Sequence, residues 1–554
     1  SRLYEDLNRA AGMPPEPAGR MPALRRGTPA SSGQVREAAL LQVSKAESQT
    51  SSRRSGVKIA LRWFVLVTLA SFRVSALELR ASDARILLIV VDGCRADYLT
   101  PELMPHCLAA AQRGVIGTAH HSVLPTVTRV NASTLVTGCL PAKHGLVAHA
   151  LFVPELNATG SISTGSREKL LAVQEKWGGR LLATPTLAEL LAQQGQQFLA
   201  CSSGSSGSAT LLNPTGGGAG TLHPEFCIPA SRMQHAYRVV GAKPEETVPA
   251  RAMMQWMTDA YLKLGVPETD PRVTVLWFTD PDHSAHEKGI GAPETSAGIR
   301  FADEQVGRIL DFHQQRGIKV NVFITADHGF ASHNGKFNLK SALENDGWMT
   351  RVKPVVIDGA IYLPKEQEKE IPAIVRTLQA DRSIGPIFTP AEARGSWQGI
   401  APGTFSHDST GNNHPHNAQI VVYPKWNRDR NAAGYAGTIE AGGIAGHGDT
   451  SPWEINAVFA AFGPDIKTGL RSEVPSSNAD LAPTILFLAG VPVPKSMDGR
   501  VLREILIGGP PPEKLRVRQT TREVKSPGGG YVATQRISEV AGHRYVDEVS
   551  ARHK

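Results

Sequence analysis

Four apolar runs, spread over most of the chain, restrict its fold more than any other feature. They are "ARILLIVVDG" (Ala84 to Gly93), "RVTVLWFTD" (Arg272 to Asp280), "KVNVFITADHG" (Lys319 to Gly329) and "INAVFAAFGP" (Ile455 to Pro464). A strand with water on one face alternates polar and apolar residues, whereas a strand covered on both faces is apolar throughout and stops at turn residues. Helical patterns intervene at "TLAELLAQQG", "AGIRFADEQVGRILDFHQQRG" and "NADLAPTILFLAG". Strands alternating with helices predict an α/β fold: a three-layer domain with a largely parallel central sheet.

In such sheets, sites form beyond the carboxyl ends of the strands. Asp92 closes the first run, Asp280 and Asp282 follow the second, and Asp327 with His328 ends the third, so three strands deliver acids or a histidine to one rim. From about 330 to 446 the pattern loosens into Gly, Pro, Asn and His-rich sequence with short strands such as "AQIVVYP", which predicts an inserted cap. After Ile507 comes a Pro and Lys/Arg-rich stretch, then "YVATQRISEVAGHRYVDEV", two alternating runs around Ala541 and Gly542. Residues 508–554 thus read as a linker and a C-terminal β-hairpin, and 77–507 as the main domain.

The formal charge of +8 sits mostly at the start of the chain. Residues 1–56 hold nine Lys/Arg against five Asp/Glu, and Val57 to Ala76 adds three basic residues and no acid, leaving one net positive charge on 77–554. A basic pI of that origin gives no support to nucleic-acid binding. Residues 57–76 combine a basic start, an apolar run from Trp63 to Phe72 and small residues at Val74, Ser75 and Ala76. That order predicts a secretory signal peptide cut after Ala76, with an apolar run too short for a stable membrane anchor. Translation is expected to start near Val57, residues 1–56 to be a disordered extension, and the protein to be exported to a periplasmic or extracellular location. The five cysteines are odd in number and lack zinc-finger spacing, so they read as buried or paired.

Taken singly, the polar motifs decide little. Asp282 and His286 in "TDPDHSAHEKG" share a helical face at i, i+4, which suits chelation and equally suits a surface ion pair. Asp327-His328-Gly329 is ordinary turn chemistry, and His447 in "AGHGD" stands in a glycine-flanked loop. In "VLPTVTRVNASTLVTGCLPAKHG" (Val123 to Gly145), hydroxyls at Thr126, Thr128, Ser133 and Thr134 crowd a helix start, where they can cap or attack. Together these residues supply two three-ligand sets of mixed oxygen and nitrogen type beside a hydroxyl. Such sets suit zinc, and a pair of ions can clamp the attacking and leaving oxygens of a phosphoryl displacement.

The ordered set "LLIVVDGCRADYL", "LPTVTRVNASTLVTGCLPAKHG", "FTDPDHSAHEKG", "FITADHGF", "AGHGD" and "ADLAPTILFLAGVPVPKSMDGRVL" resembles the motifs of the alkaline phosphatase superfamily, in its type I phosphodiesterase and nucleotide pyrophosphatase branch. The resemblance runs from about Arg85 to Leu506. It implies an alkaline-phosphatase-like catalytic domain with two Zn2+ ions, one held by Asp282, His286 and His447, the other by Asp92, Asp327 and His328. It further implies that Thr128 is the nucleophile and bridges to the second ion. The expected activity is zinc-dependent hydrolysis of phosphodiester or pyrophosphate bonds through a threonyl-phosphate intermediate, on a small-molecule phosphodiester or nucleotide.

Where that branch has an asparagine after its His-Gly turn, this chain has His149, an expected substrate-binding residue that can donate the same hydrogen bond. Arg129, pointing off the helix start, either binds phosphate or is solvated, and solvation is the expectation. The Lys and Arg with which threonine-dependent monoesterases of the superfamily meet an extra phosphate charge are absent from Ser202 to Ser208, which offers only serine and glycine. An exported phosphomonoesterase with the same nucleophile is the alternative, followed by an inactive binding protein on the same scaffold. A sulfatase would need a Cys or Ser nucleophile followed by Pro and Arg, and residues 128–132 lack that pattern. His120, His121, His283, His414 and His416 are read as structural.

Overall fold

The computed structural model describes residues 83–335 and 337–554; the signal-peptide and extension readings of 1–76 fall outside them. The central sheet has nine strands. In chain order they are β1 (Arg85–Val91), β2 (Val115–Gly117), β3 (Phe198–Ser202), β4 (Gly220–His223), β5 (Phe226–Ile228), β6 (Val273–Phe278), β7 (Val320–Thr325), β8 (Phe459–Phe462) and β9 (Leu470–Ser472). Their spatial order is β9-β2-β8-β7-β1-β6-β3-β4-β5. Only β8 and β5 run against the rest, so the sheet is largely parallel.

Why β1 carries no polar residue after Arg85 follows from its two faces. Ile86, Leu88 and Val90 enter one apolar cluster, with Ala132, Leu135 and Ile485 from helices on that side. Leu87, Ile89 and Val91 enter a second cluster, with Ile299 and Val306 from the opposite helical layer. Every residue from Ile86 to Val91 is at most 1% exposed, which a three-layer arrangement requires of a central strand. The helices that matter for the site are α1 (Thr128–Thr137), α2 (Ser206–Leu212), α3 (Asp282–Lys288), α4 (Pro293–Gln315) and α5 (Leu481–Leu488). Among the described residues, no helix is long and apolar enough to cross a membrane.

Strands β7, β1 and β6 are parallel neighbours, with Val90 opposite Thr325 and Val91 opposite Phe278. Their carboxyl ends therefore emerge side by side, which brings Asp92, Asp282 and Asp327 to one rim. Residues 331–446 contribute two further sheets, among them a five-stranded one built from Val355–Ile357, Ala360–Tyr362, Ile384–Thr389, Phe405–Ser406 and Ile420–Pro424.

At the C-terminus, Tyr531–Val540 and His543–His553 pair around Ala541 and Gly542, both at positive φ. A third strand, Arg518–Lys525, joins them antiparallel where the sequence reads as linker. The sequence does not announce it because it buries only Val524 and so shows no apolar alternation. Its backbone pairing and ion pairs such as Arg518 with Glu539 hold it instead. Val524, Tyr531, Ala533 and Val549 pack into the apolar cluster of the five-stranded sheet.

Candidate active site

Two of the rim carboxylates, Asp92 and Asp327, have one oxygen tied down from behind and another left bare. Trp277 Nε1 donates to Asp92 Oδ2 at 2.9 Å, and Gly93 N donates to Asp327 Oδ1 at 3.1 Å. The remaining oxygens, Asp92 Oδ1 and Asp327 Oδ2, are buried without a hydrogen bond, as is Asp282 Oδ1. His328 Nε2 lies 3.1 Å from Asp327 Oδ2 and 3.6 Å from Asp92 Oδ1. His286 Nε2 and His447 Nε2 lie 3.4 and 3.3 Å from Asp282 Oδ1.

The histidine tautomers follow from their outer nitrogens. His328 Nδ1 is 2.8 Å from the Gly329 carbonyl, and His447 Nδ1 is 2.9 Å from the Thr126 carbonyl. A carbonyl only accepts, so each Nδ1 carries the proton and each Nε2 turns a lone pair inward. Ligand atoms of Asp282, His286 and His447 lie within 4.8 Å of one another, and those of Asp92, Asp327 and His328 do likewise. Orphaned carboxylate oxygens, bare Nε2 atoms and hydrogen-bonded outer atoms are what a metal-binding group requires. Both triads fit divalent metals taking mixed O and N ligands.

The electrostatics agree. Burial, then the charges of Asp327 and Asp282, pushes Asp92 well above the usual carboxylate range. Burial would also raise Asp282, but the neighbouring His286 and His447 outweigh it and hold that carboxyl well below the range. Burial, with the charge of His328, lowers His447 to about 4. For Asp327 and His328, burial opposes their charged forms and their mutual attraction wins, so the acid is lowered and the histidine raised. Crowded buried carboxylates on this rim call for cations to neutralise them.

Thr128 opens α1, and its buried Oγ1 lies 3.2 Å from His328 Nε2, in a cavity that Asp92 and Asp282, one from each triad, also line. Unpaired N–H groups and the helix dipole there favour an oxyanion and a bound phosphate. Ser133 and Thr137 bond back to the carbonyls of Arg129 and Ser133 inside the helix, and Thr134 meets His144. Thr126 is a turn residue that fixes the His447 loop, since its hydroxyl donates to the Asp449 carbonyl and accepts from Gly448 N.

His149 lines a cavity with His286 and His447, its ring 5.8 Å from that of His447. Burial, reinforced by the charge of Arg129, keeps its imidazole well below the ordinary value. Asp280 does not reach the site; it accepts from Ala250 N and from Ser284, anchoring the start of α3. His414 and His416 sit 4.3 Å apart with His416 stacked on Trp177, and among the described residues no third ligand joins them. All five cysteines are buried and unpaired.

Arg129 is not solvated. Its Nη2 donates to Ser205 Oγ at 3.1 Å, its Nε is buried without a partner, and it lines the cavity that holds Thr128, Asp92 and Asp282. The expectation failed because the residue after a helix's first position turns by about 100°, and here that direction meets Ser205, on the loop before α2, rather than water. Trp277 and Asn478 also escaped the sequence reading. Asn478 Nδ2 donates to Asn131 Oδ1 and to the carbonyls of Ala326 and Asp327, tying the late motif to the second triad.

The sequence model described as Type I phosphodiesterase / nucleotide pyrophosphatase matches residues 86–427, well over half of the chain. A venom phosphodiesterase of Macrovipera lebetinus is 25% identical over 249 residues, 44% of this chain and 25% of its own. The chain thus spans about a quarter of the length of the venom enzymes it matches. Ectonucleotide pyrophosphatase/phosphodiesterase family member 7 of Rattus norvegicus is 24% identical over 445 residues, 78% of this chain and 89% of its own. Among solved structures, murine ectonucleotide pyrophosphatase/phosphodiesterase 5 has a TM-score of 0.55 at 16% identity, covering 76% of this chain and 100% of its own. An inactive form of that murine protein, in complex with AMP, has a TM-score of 0.54 at 17% identity over 74% of this chain and 96% of its own.

Proposed function

The chain belongs to the type I phosphodiesterase/nucleotide pyrophosphatase family, and from that premise we propose that it hydrolyses phosphodiester or pyrophosphate bonds of small molecules, nucleotides among them, with Thr128 as nucleophile. The observation that carries this reading is Thr128 Oγ1, 3.2 Å from His328 Nε2 in a cavity lined by a carboxylate of each triad. Complex formation with AMP by a protein of the same fold supports a nucleotide substrate.

Asp282, His286 and His447 would hold one zinc ion, and Asp92, Asp327 and His328 the other. Bound there, the ions supply positive charge for the phosphoryl oxygens, a lowered pKa for the Thr128 hydroxyl and for water, and stabilisation of the leaving oxygen. Thr128 Oγ1, deprotonated at the N-terminus of α1, attacks phosphorus in line, and the bond from phosphorus to the leaving oxygen breaks. The substrate's retained group stays esterified to the threonyl phosphate. A water then attacks the same phosphorus, the bond to Oγ1 breaks, and the threonine is restored. His149, neutral and beside His447, donates to a phosphoryl oxygen.

Residues 77–507 form the catalytic unit in this reading, with 330–446 as a cap that shapes substrate choice through the cavity beside His149. Export to a periplasmic or extracellular space, after removal of 57–76, accords with the venom phosphodiesterase among its relatives. The test is acid quenching during turnover of the p-nitrophenyl ester of thymidine monophosphate, then peptide mass spectrometry. A nucleotidyl adduct on the Thr128 peptide is expected; an adduct on another residue, or none under single-turnover conditions, would refute the nucleophile.

A further inference from the structure

Among the described residues, Arg129 takes part in no ion pair, and it lies beside the carboxylates it might have neutralised. Three features fix its guanidinium. Ser205 Oγ accepts from Nη2 at 3.1 Å and is itself held, donating to Ser208 Oγ and accepting from Ser208 N. Gly165 leaves the space the head group occupies, since a Cβ there would stand 2.9 Å from Nη2. The loop of Gly165 is in turn pressed against α2, where a Cβ on Gly207 would overlap the Thr164 carbonyl. A positioned guanidinium whose Nε–H is buried and unsatisfied wants an acceptor. The cavity it faces measures about 290 Å3 and includes Thr128, whose hydroxyl would meet phosphorus.

We propose that Arg129 is a substrate-binding residue whose guanidinium meets a non-bridging phosphoryl oxygen, and that Ser205 is its positioning residue. This deepens the hydrolase reading and rests on it. The Ser202 to Ser208 segment provides no cation of its own, yet through Ser205 it carries one lent by α1. A terminal phosphoryl group, with one more negative charge than a diester, depends on that cation more strongly. Arg129 therefore sets how far the site accepts monoesters and terminal phosphates alongside diesters.

The test compares zinc-loaded wild type with Arg129→Met, Arg129→Lys and Ser205→Ala. It reads kcat/KM for p-nitrophenyl phosphate and for bis(p-nitrophenyl) phosphate, zinc content, and calorimetric binding of inorganic phosphate. Arg129→Met is expected to lose at least ten times more on the monoester than on the diester and to weaken phosphate binding at least tenfold, with zinc retained. Arg129→Lys, a point charge without the fork, should recover part of that loss, and Ser205→Ala should lose a smaller amount in the same order. Equal losses on both esters, or unchanged phosphate binding, would overturn the proposal. Should Arg129→Met fail to fold, Gly165→Ala displaces the guanidinium without removing it and must show the same monoester-weighted loss. If wild type hydrolyses neither ester, the hydrolase reading fails, while phosphate binding by wild type and its loss in Arg129→Met would still uphold the clamp.

Discussion

The imidazoles of His328 and His447, from different triads, stack with ring centroids 3.6 Å apart and planes 13° off parallel. Their Nδ1 atoms are tied to separate carbonyls, and their Nε2 atoms lie beside Asp327 and Asp282 respectively. The two triads therefore form one electrostatic unit.

Removing one ligand should disturb both triads. His447→Ala is expected to lose one zinc equivalent and to weaken the other at least tenfold, with loss of hydrolysis; elemental analysis after dialysis against a graded chelator reads this. Two full equivalents bound with wild-type affinity would show that His447 is not a ligand.

Thr128→Ala should lower kcat by about 10³-fold or more, the scale on which an attacking group matters, while zinc content stays near wild type because water can take the vacated position. Residual turnover above a tenth of wild type would assign the attack to another group.

Trp277→Phe keeps an aromatic ring in β6 but removes the Nε1–H that orients Asp92. Metal affinity should fall by about 10 to 100-fold, measured by competition with a fluorescent chelator. An unchanged affinity would mean the hydrogen bond does not position the carboxylate.

His149→Asn retains an N–H donor and should keep kcat/KM within about tenfold of wild type, whereas His149→Ala should lose more, since one donor to a charged oxygen is worth about 1.5–3 kcal/mol. Equal rates for wild type and both variants would remove His149 from the substrate-binding residues.

Stability should fall as pH drops below about 6.5, the value of an unperturbed histidine. Burial lowers both His120 and His144 to about 3 in the folded chain. Neutral tautomers satisfy both rings: His120 lies against Ser476 and Asn478, and His144 against Thr134 and the Leu146 N–H. Between the unfolded and folded values the unfolded chain binds the protons these rings refuse. Stability is thus fully present above the unfolded value and is lost by up to about 1.4 kcal/mol per pH unit per histidine. Denaturant titrations at several pH values should show a shallower slope in His120→Gln; identical slopes would exclude His120 as a source.

Particular residues mark where the sequence sufficed. Burial on both faces makes β1 apolar from Ile86 to Val91, and that local consequence of a three-layer fold can be read without knowing the neighbours. Parallel pairing of β7, β1 and β6 then obliges the residues after each strand to meet, so Asp92, Asp282, Asp327 and His328 converge by topology alone. Thr128 is one of four hydroxyls crowding a helix start, and only the family resemblance singles it out. Contacts between remote segments could not be read this way. The turn of Arg129 onto Ser205, the Trp277 N–H behind Asp92, the Asn478 tie to the Asp327 loop and the third C-terminal strand leave no periodic trace. Periodicity reports which face of an element is buried, and long-range packing alone decides which polar atom a side chain finds there.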